Sequence, residues 1–487
     1  MAKRYSVAKH QSAHYGLGFS PLSTNEEIRR DLLSIKRASR KAGNDDGYVV
    51  RFLGMCDTHI VGPEGFKYQS KAELRSGKPD KRAQKLIEKN FEEWAKRGNC
   101  DVTGQYSWQD IQSLYIRSVA EDGELLVRMV EGFPNDWGFA VQLLDSAHLD
   151  LNYNRQLKNG HEIVMGVEID NWKRPIAYHV LTNHPGERTY YNGKTRYERI
   201  PAEEIMLGYL PFRVGQLRGV PWAHAALLEM NHLYGYREAE MIGARLGASK
   251  KYAYEADAEN LDPDDSEEAY FEEEVEPGEA TVVPYGYTLK ELNFTHPGSN
   301  FGAFMKEGKR GAASGLDVNY NTLANDLEGV NFSSLRHAVL EDRDSWKKKQ
   351  RWMRQSLCDQ VAPRLLKMSM LMGKLAKLAF SEYDRLNKHK FQGRRWDWVD
   401  PLKDEKANTE GLKNKTRSPM QIIRDRGDDP EDVVADIVEF ETLLAQAKEK
   451  AHGPKKTNQP KEVTNDQSSP ETAAGAEANG ANPNAEA

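Results

Sequence analysis

Hydrophobic positions divide the chain into stretches of different period. Residues 25–42 (NEEIRRDLLSIKRASRKA) are helical in composition, with acids in the first turn and bases in the last, which suits the helix dipole. Residues 85–97 repeat the pattern and set Leu86, Ile87, Phe91 and Trp94 on one face. Residues 108–120 predict a third helix, closed by a Glu121-Asp122-Gly123 turn. Beyond it the period shortens. Residues 124–131, 139–144, 162–169 and 176–181 are short, rich in β-formers and separated by Gly, Asn, Asp or Pro. They predict strands of an antiparallel sheet, and with the helices an α+β unit ending near Leu210.

The middle reads differently. Pro221 is expected to open a long helix reaching about Lys250, because a first helical turn does not need the N–H that proline lacks. Ala226, Met230, Leu233, Met241, Ala244 and Ala248 keep helical spacing along it, over about 40 Å at about 1.5 Å per residue. Residues 254–280 then hold thirteen acids and no Lys or Arg. A β-like piece at 280–289 leads to a second helix at 300–315. Its Phe301, Phe304, Met305 and Ala312 share one face, and Lys306, Lys309 and Arg310 make a basic stripe on the other.

Residues 316–334 are rich in Asn, Asp and Gly and read as a segment too polar for the core. Ser333 can cap the next helix, whose Leu335, Val339, Trp346, Met353, Leu357 and Val361 run at heptad-like spacing until Pro363 breaks or kinks it. Residues 367–380 predict a short amphipathic helix packed on protein, and 418–450 a smaller helical set. From Pro454 onward there is no aromatic, Leu, Ile or Met, so the tail is expected to be disordered.

Composition narrows the classes. With 487 residues, 39% hydrophobic and 29% charged, the chain is water-soluble and has apolar mass for more than one core, in two to four units. No stretch approaches the ~18 apolar residues of a membrane span. No apolar run accompanies the basic N-terminus, so no secretory signal is expected. Cys56, Cys100 and Cys358 are scattered, which offers neither a disulfide framework nor a CxxC metal site and suits a reducing intracellular setting.

Enzyme signatures fail in turn. Gly193-Lys194-Thr195 lacks a phosphate loop's first glycine, since Arg188 stands five residues before Gly193. His224 and His232 are eight apart, without the i, i+4 spacing that lets two imidazoles share a metal. Asp145, His148 and Asp150 can be read as a carboxylate–histidine site or as a turn satisfying its own backbone. There is no GxSxG elbow. Arg343, Lys347, Lys348, Lys349, Arg351 and Arg354 accompany Trp346 and Trp352. That is either a grip on a nucleic-acid backbone or a solvated helix face with Trp346 on its apolar seam.

Specific segments carry a resemblance. Residues 205–222 (IMLGYLPFRVGQLRGVPW), then Tyr236-Arg237-Glu238-Ala239-Glu240 and Ala244-Arg245, are similar to the lambda-type family of tailed-phage portal proteins. So are residues 296–334 (HPGSNFGAFMKEGKRGAASGLDVNYNTLANDLEGVNFSS) with their continuation to Trp352. Cys100-Asp101, Ala120 to Glu124, Arg174 to Leu181 and His184-Pro185-Gly186 agree, in family order, over roughly residues 20–400.

The resemblance implies a fold of α/β wing, two-helix stem, small α/β clip, long wing helix and helical C-terminal crown. Mapped by matching segments, 1–20 is a flexible N-terminus, 21–220 the first part of the wing, 221–250 a stem helix, 251–298 the clip and 299–315 the second stem helix. Residues 316–332 would be the tunnel loop, 333–400 the second part of the wing, 401–450 the crown region and 451–487 a disordered tail. It also implies a ring, typically dodecameric, at one capsid vertex of the virion, assembled in the host cytoplasm and conducting double-stranded DNA. Expected partners are terminase, major capsid and scaffold proteins and head-completion adaptors. Neither catalytic residues nor a cofactor nor a membrane is expected.

On that mapping Asp317, Asn319, Tyr320, Asn321 and Asn325 are the candidate channel residues, and Lys306, Lys309 and Arg310 the stem cations, read as phosphate contacts or as pairs with a neighbouring subunit. Glu267, Glu268, Glu272, Glu273 and Glu274 are the candidate acidic clip segment. A metal-dependent nuclease of head morphogenesis, using Asp145, His148 and Asp150, is the alternative, and a capsid-interacting protein that touches no DNA a third. The net charge of −6 divides accordingly. Residues 254–280 contribute −13, leaving 68 bases against 61 acids, or +7, elsewhere.

Overall fold

The computed structural model describes residues 22–158, 160–187, 196–248, 252–256, 287–291, 298, 300–396, 401–426 and 430–451. The chain forms two units, one ending at Trp396 and one beginning at Asp397.

In the first unit, helices α1 (Thr24–Asp45) and α2 (Gly47–Cys56) precede β1 (Lys67–Ser70), α3 (Lys81–Trp94), α4 (Trp108–Asp122), β2 (Glu124–Glu131) and β3 (Phe139–Leu144). Then come β4 (Arg155–Gln156), β5 (Glu162–Val164), β6 (Val167–Ile169), β7 (Pro175–Leu181), β8 (Tyr197–Pro201) and β9 (Ile205–Tyr209). Helix α5 (Leu227–Ala248), strands β10 (Tyr252–Ala256) and β11 (Tyr287–Glu291), and helices α6 (Phe301–Gly315), α7 (Tyr320–Ala324), α8 (Phe332–Met353), α9 (Asp359–Leu371) and α10 (Tyr383–Leu386) follow, with β12 (His389–Gln392) last. The second unit holds α11 (Pro401–Lys413), α12 (Pro419–Asp425) and α13 (Pro430–Ala451).

Local chemistry sets these limits. Asp46 ends α1 and caps α2, its carboxylate accepting from the N–H groups of Tyr48 and Val49. Ser107 and Asp110 form a reciprocal capping box on α4, and Gly123 closes that helix at φ 87°. Strand β2 runs antiparallel between β3 and β9. A second antiparallel sheet has the order β4-β5-β6-β7-β8. The stretch expected to be one strand over 162–169 is a hairpin, because Met165 and Gly166 both take positive φ (50° and 81°) and turn the chain in two residues. Strands β1 and β12, more than three hundred residues apart, pair antiparallel.

The core gathers Trp94, Trp108, Tyr115, Phe139, Trp346 and Leu357. Trp346 is 2% exposed, as its place on an apolar seam predicts. Within this core lies a buried charge. Glu124, 0% exposed, accepts from Arg218, from Lys36 at 2.7 Å and from the N–H of Gly219 at 2.8 Å. Burial pushes its carboxyl up, but Arg218 and Lys36 more than reverse this and hold it down to about 2. Burial lowers the Lys36 ammonium too. Arg218, itself 1% exposed, meets the carboxylate with two of its nitrogens.

Five further expectations need correction. Residues 222–226 form turns, so α5 begins at Leu227 and spans about 33 Å. Here Trp222 N–H donates to Ala120 O, tying the turns to α4. The segment 316–334 is not excluded from the core, because Leu316, Val318 and Leu323 are buried there and α7 is helical. Asn331, not Ser333, caps α8 by accepting from Ser334 N–H. Helix α9 runs through Pro363 to Leu371, the irregularity falling earlier as a π-helical turn at Arg354–Cys358. The helix expected over 367–380 stops at Leu371, and turns follow.

Candidate functional site

The antiparallel pair α5 and α6 is built on glycine. Gly308, Gly311 and Gly315 meet Leu233, Glu229 and Ala226, so residue numbers rise along α6 as they fall along α5. A Cβ at Gly308 would stand 2.5 Å from Leu233 Cδ2, so a larger residue there would have to push Leu233 aside. Farther along, Tyr236 packs edge-on to Phe304, with ring centroids 4.9 Å apart. The expected apolar face of α6 divides. Met305 and Ala312 are buried, while Phe304 is 58% exposed.

Past α6 the chain folds back through its candidate residues, and each serves a local purpose. Asp317, at φ 57°, accepts from Ser345 Oγ at 2.6 Å and Lys349 Nζ at 2.9 Å. Burial opposes ionisation, but these two hold its carboxyl below the usual range. Asn319 caps α7 by accepting from Asn321 N–H. Its own N–H donates to Asp342, whose carboxyl burial and the Asp317 charge raise to about 6. Tyr320 donates to Asp326 at 2.6 Å. Asn325 closes α7 in the left-handed conformation that Asn tolerates, and accepts from Arg51 at 3.1 Å. Asn321 is half-buried beside them.

The α6 cations make their contacts within their own chain, two of them with this loop. Lys306 pairs with Asp326 at 3.3 Å, Arg310 lies 5.6 Å from the Tyr320 ring centroid, and Lys309 lies 5.5 Å from that of Tyr48. The structure thus places Lys306, Lys309, Arg310, Asp317, Asn319, Tyr320, Asn321 and Asn325 in one neighbourhood. Glu267, Glu268, Glu272, Glu273 and Glu274 lie outside the described residues.

Two features escaped the sequence reading. The first is the loop's tip, a β-turn from Leu327 to Val330 with Gly329 at φ 68° and Val330 N–H donating to Leu327 O at 3.4 Å. Leu327 is 64% exposed there, beside an exposed Glu328. The Leu-Glu-Gly order was a readable turn signal. The second is a cleft of about 250 Å³ between α2, α5, α6 and α7. Buried Met230, Leu233 and Met305 floor it, and Arg51, Arg237 and Lys309 line its rim. No local sequence signal marks it, since its walls are far apart along the chain.

Asp145, His148 and Asp150 are engaged separately. Asp145 accepts from Ala147 N–H and pairs with Arg40, His148 Nδ1 bonds Leu181 O at 2.7 Å, and Asp150 accepts from Asn152 N–H and the Tyr197 hydroxyl. Among the described residues, no group of three His, Cys, Asp or Glu could hold a metal ion. The basic helix face also divides. Lys349 is buried over the Trp346 ring at 4.6 Å, while Lys347 and Lys348 stay exposed.

Residues 13–350 match the model of a family described as phage portal protein, lambda family. A curated relative, the "Probable portal protein" of Halomonas phage phiHAP-1, is 40% identical over 418 residues, which is 85% of this chain and 80% of the relative. A chain from the neck of an empty GTA particle, computed with C6 symmetry, has 14% identity and a TM-score of 0.43, covering 82% of this chain and 94% of that one. A chain from the neck of a native GTA particle, computed with C12 symmetry, has 14% identity, a TM-score of 0.41 and the same coverage.

Proposed function

The chain belongs to the lambda family of phage portal proteins, and from that premise we propose that it closes into a ring of twelve copies, through which double-stranded DNA enters and leaves the capsid. The ring sits at one vertex of the virion after assembly in the host cytoplasm. In this reading α5 and α6 are the stem, β10, β11 and the acidic segment the clip, and residues 316–332 the tunnel loop. Elements α1–α4 and β1–β9 with α8 make the wing, and α11–α13 the crown region. Terminase and head-completion adaptors dock on the clip, while capsid and scaffold proteins meet the wing.

The observation that carries the reading is the α5–α6 pair. It leaves Leu228, Met241, Ile242 and Phe304 exposed, apolar groups that neighbouring copies can cover in a head-to-tail ring. The segment that follows suits passage of a polyanion. From Leu316 to Leu335 it holds no Lys or Arg, so it adds no counterion-releasing phosphate contact that would brake DNA. The nearby cations are engaged instead, Lys306 by Asp326 and Arg310 by the Tyr320 ring.

Negative-stain microscopy of the purified chain tests the ring. Closed rings with a hole that admits a duplex are expected, and a monomer that cleaves DNA in the presence of a divalent metal would overturn the reading. Joint Tyr320→Ala and Asn321→Ala substitution is expected to preserve rings and lower packaged DNA several-fold. Unchanged packaging removes the tunnel-loop assignment.

A further inference from the structure

The tip turn and the cleft carry matching chemistry, although one acid, Asp46, also lines the cleft. The tip projects one apolar side chain, Leu327, and beside it one acid, Glu328, with no cationic partner among the described residues. The cleft offers the converse. Met230, Leu233 and Met305 make an apolar floor, and Arg237 and Lys309 at its rim have aromatic neighbours but no carboxylate partner among the described residues. Arg51, the third cation, is turned toward Asn325 and the carbonyl of Thr322.

The tip is also preorganised. Asn325 in its left-handed cap, the Tyr320–Asp326 hydrogen bond, the Lys306–Asp326 pair and the N–H of Glu328 on Asp326 Oδ1 fix the turn before any partner arrives. A rigid projecting segment loses little conformational entropy on seating. Within one chain the tip does not occupy the cleft, although Leu323, Ala324 and Asn325 of the same loop form part of its wall.

We propose that the Leu327–Glu328 tip of one subunit seats in the cleft of the next, Leu327 on the apolar floor and Glu328 against Arg237 and Lys309. The inference rests on the ring reading and names the contact that links successive copies. It is a heterologous contact in which one patch meets a different one, so it repeats around a closed ring with every tip and every cleft used. Salt weakens its charged half and leaves its apolar half.

Cross-linking tests it directly. The three native cysteines are buried, so a full-length Leu327→Cys/Tyr234→Cys variant, both positions being exposed, places one thiol on the tip and one on the cleft wall. Mild oxidation of assembled protein is expected to give a ladder of linked chains on a non-reducing gel, absent from either single variant. A link within one chain, or no link in rings that microscopy shows to be intact, overturns the proposal. Absence of rings in the unsubstituted protein overturns the ring reading itself, and this inference with it.

Charge reversal gives a second reading. Glu328→Arg alone and Arg237→Glu/Lys309→Glu alone are each expected to weaken the interface roughly fivefold at low salt. An equal mixture restores rings, since alternating copies match at every junction. If Glu328→Arg has no effect and the cleft variant instead lowers DNA binding, the cleft holds phosphate and the proposal fails.

Discussion

The core of the first unit and the α5–α6 arm treat unfavourable groups in opposite ways. In the core, a carboxylate with no exposure is fully answered within the chain, by Arg218, Lys36 and the Gly219 N–H around Glu124. On the arm, large apolar groups are left unanswered, with Leu228 at 69% exposure and Phe304 at 58%. The contrast separates what the chain completes alone from what, in the ring proposed above, it leaves for other copies. Substitutions in the core should therefore be felt as stability, and substitutions on the arm as assembly.

The largest expected effect lies in the core. Glu124→Ala leaves Arg218 and Lys36 buried without their anion and should cost about 3–5 kcal/mol in denaturant unfolding. The unsubstituted protein should show the same dependence on pH. The folded carboxyl is held at about 2 against an ordinary 4.5, so its contribution is full above about 4.5 and fades as pH falls through about 2. A chain whose unfolding is indifferent to this substitution would erase the distinction between the two regions.

A somewhat smaller loss is expected for Gly123→Ala, about 2–3 kcal/mol. Gly123 has φ 87°, and a Cβ there would overlap the Val220 backbone. Asp342→Asn works in the opposite direction. The Asp342 carboxyl is raised to about 6, so its ionisation costs stability above that pH and costs none below its ordinary 3.8. The amide can still accept from Asn319 N–H, so a gain under about 1 kcal/mol should appear above pH 6 and vanish in acid, solvent screening keeping it small. The smallest change in subunit stability belongs to Leu228→Asp, within about 0.5 kcal/mol. The same variant should nevertheless lose rings in microscopy. If its rings persist, the exposed face of α5 is not a junction between copies.

Much of the core was legible because its signals are local. The residues of β2 and β3 alternate or are β-rich between clear turns, and both strands fall at their expected limits. Where the sequence misled, the deciding contact was distant or the average concealed individuals. The polar composition of 316–334 hid Leu316, Val318 and Leu323, three apolar residues spaced to reach the core. Pro221 looked like a helix start, yet the bond from Trp222 to Ala120 holds the following residues in turns. Pairing of β1 with β12 depends on residues at opposite ends of the first unit, which no window can join. Among the candidate site residues, the basic stripe of Lys306, Lys309 and Arg310 was readable, but not its engagement with Asp326, Tyr48 and Tyr320. Asn319 and Asn325, named from the sequence as candidate channel residues, also cap the two ends of α7, a local role the composition did not signal.

The root of the arm carries one more consequence. Trp222 N–H is bonded to Ala120 O, Lys349 lies over the Trp222 ring, and Trp352 donates to Tyr209 O, while Gly123 and Gly219 bring their backbones too close for any side chain between them. These contacts fasten the segment that leads into α5 to α4 and to β9, so a displacement of that segment is expected to carry both with it.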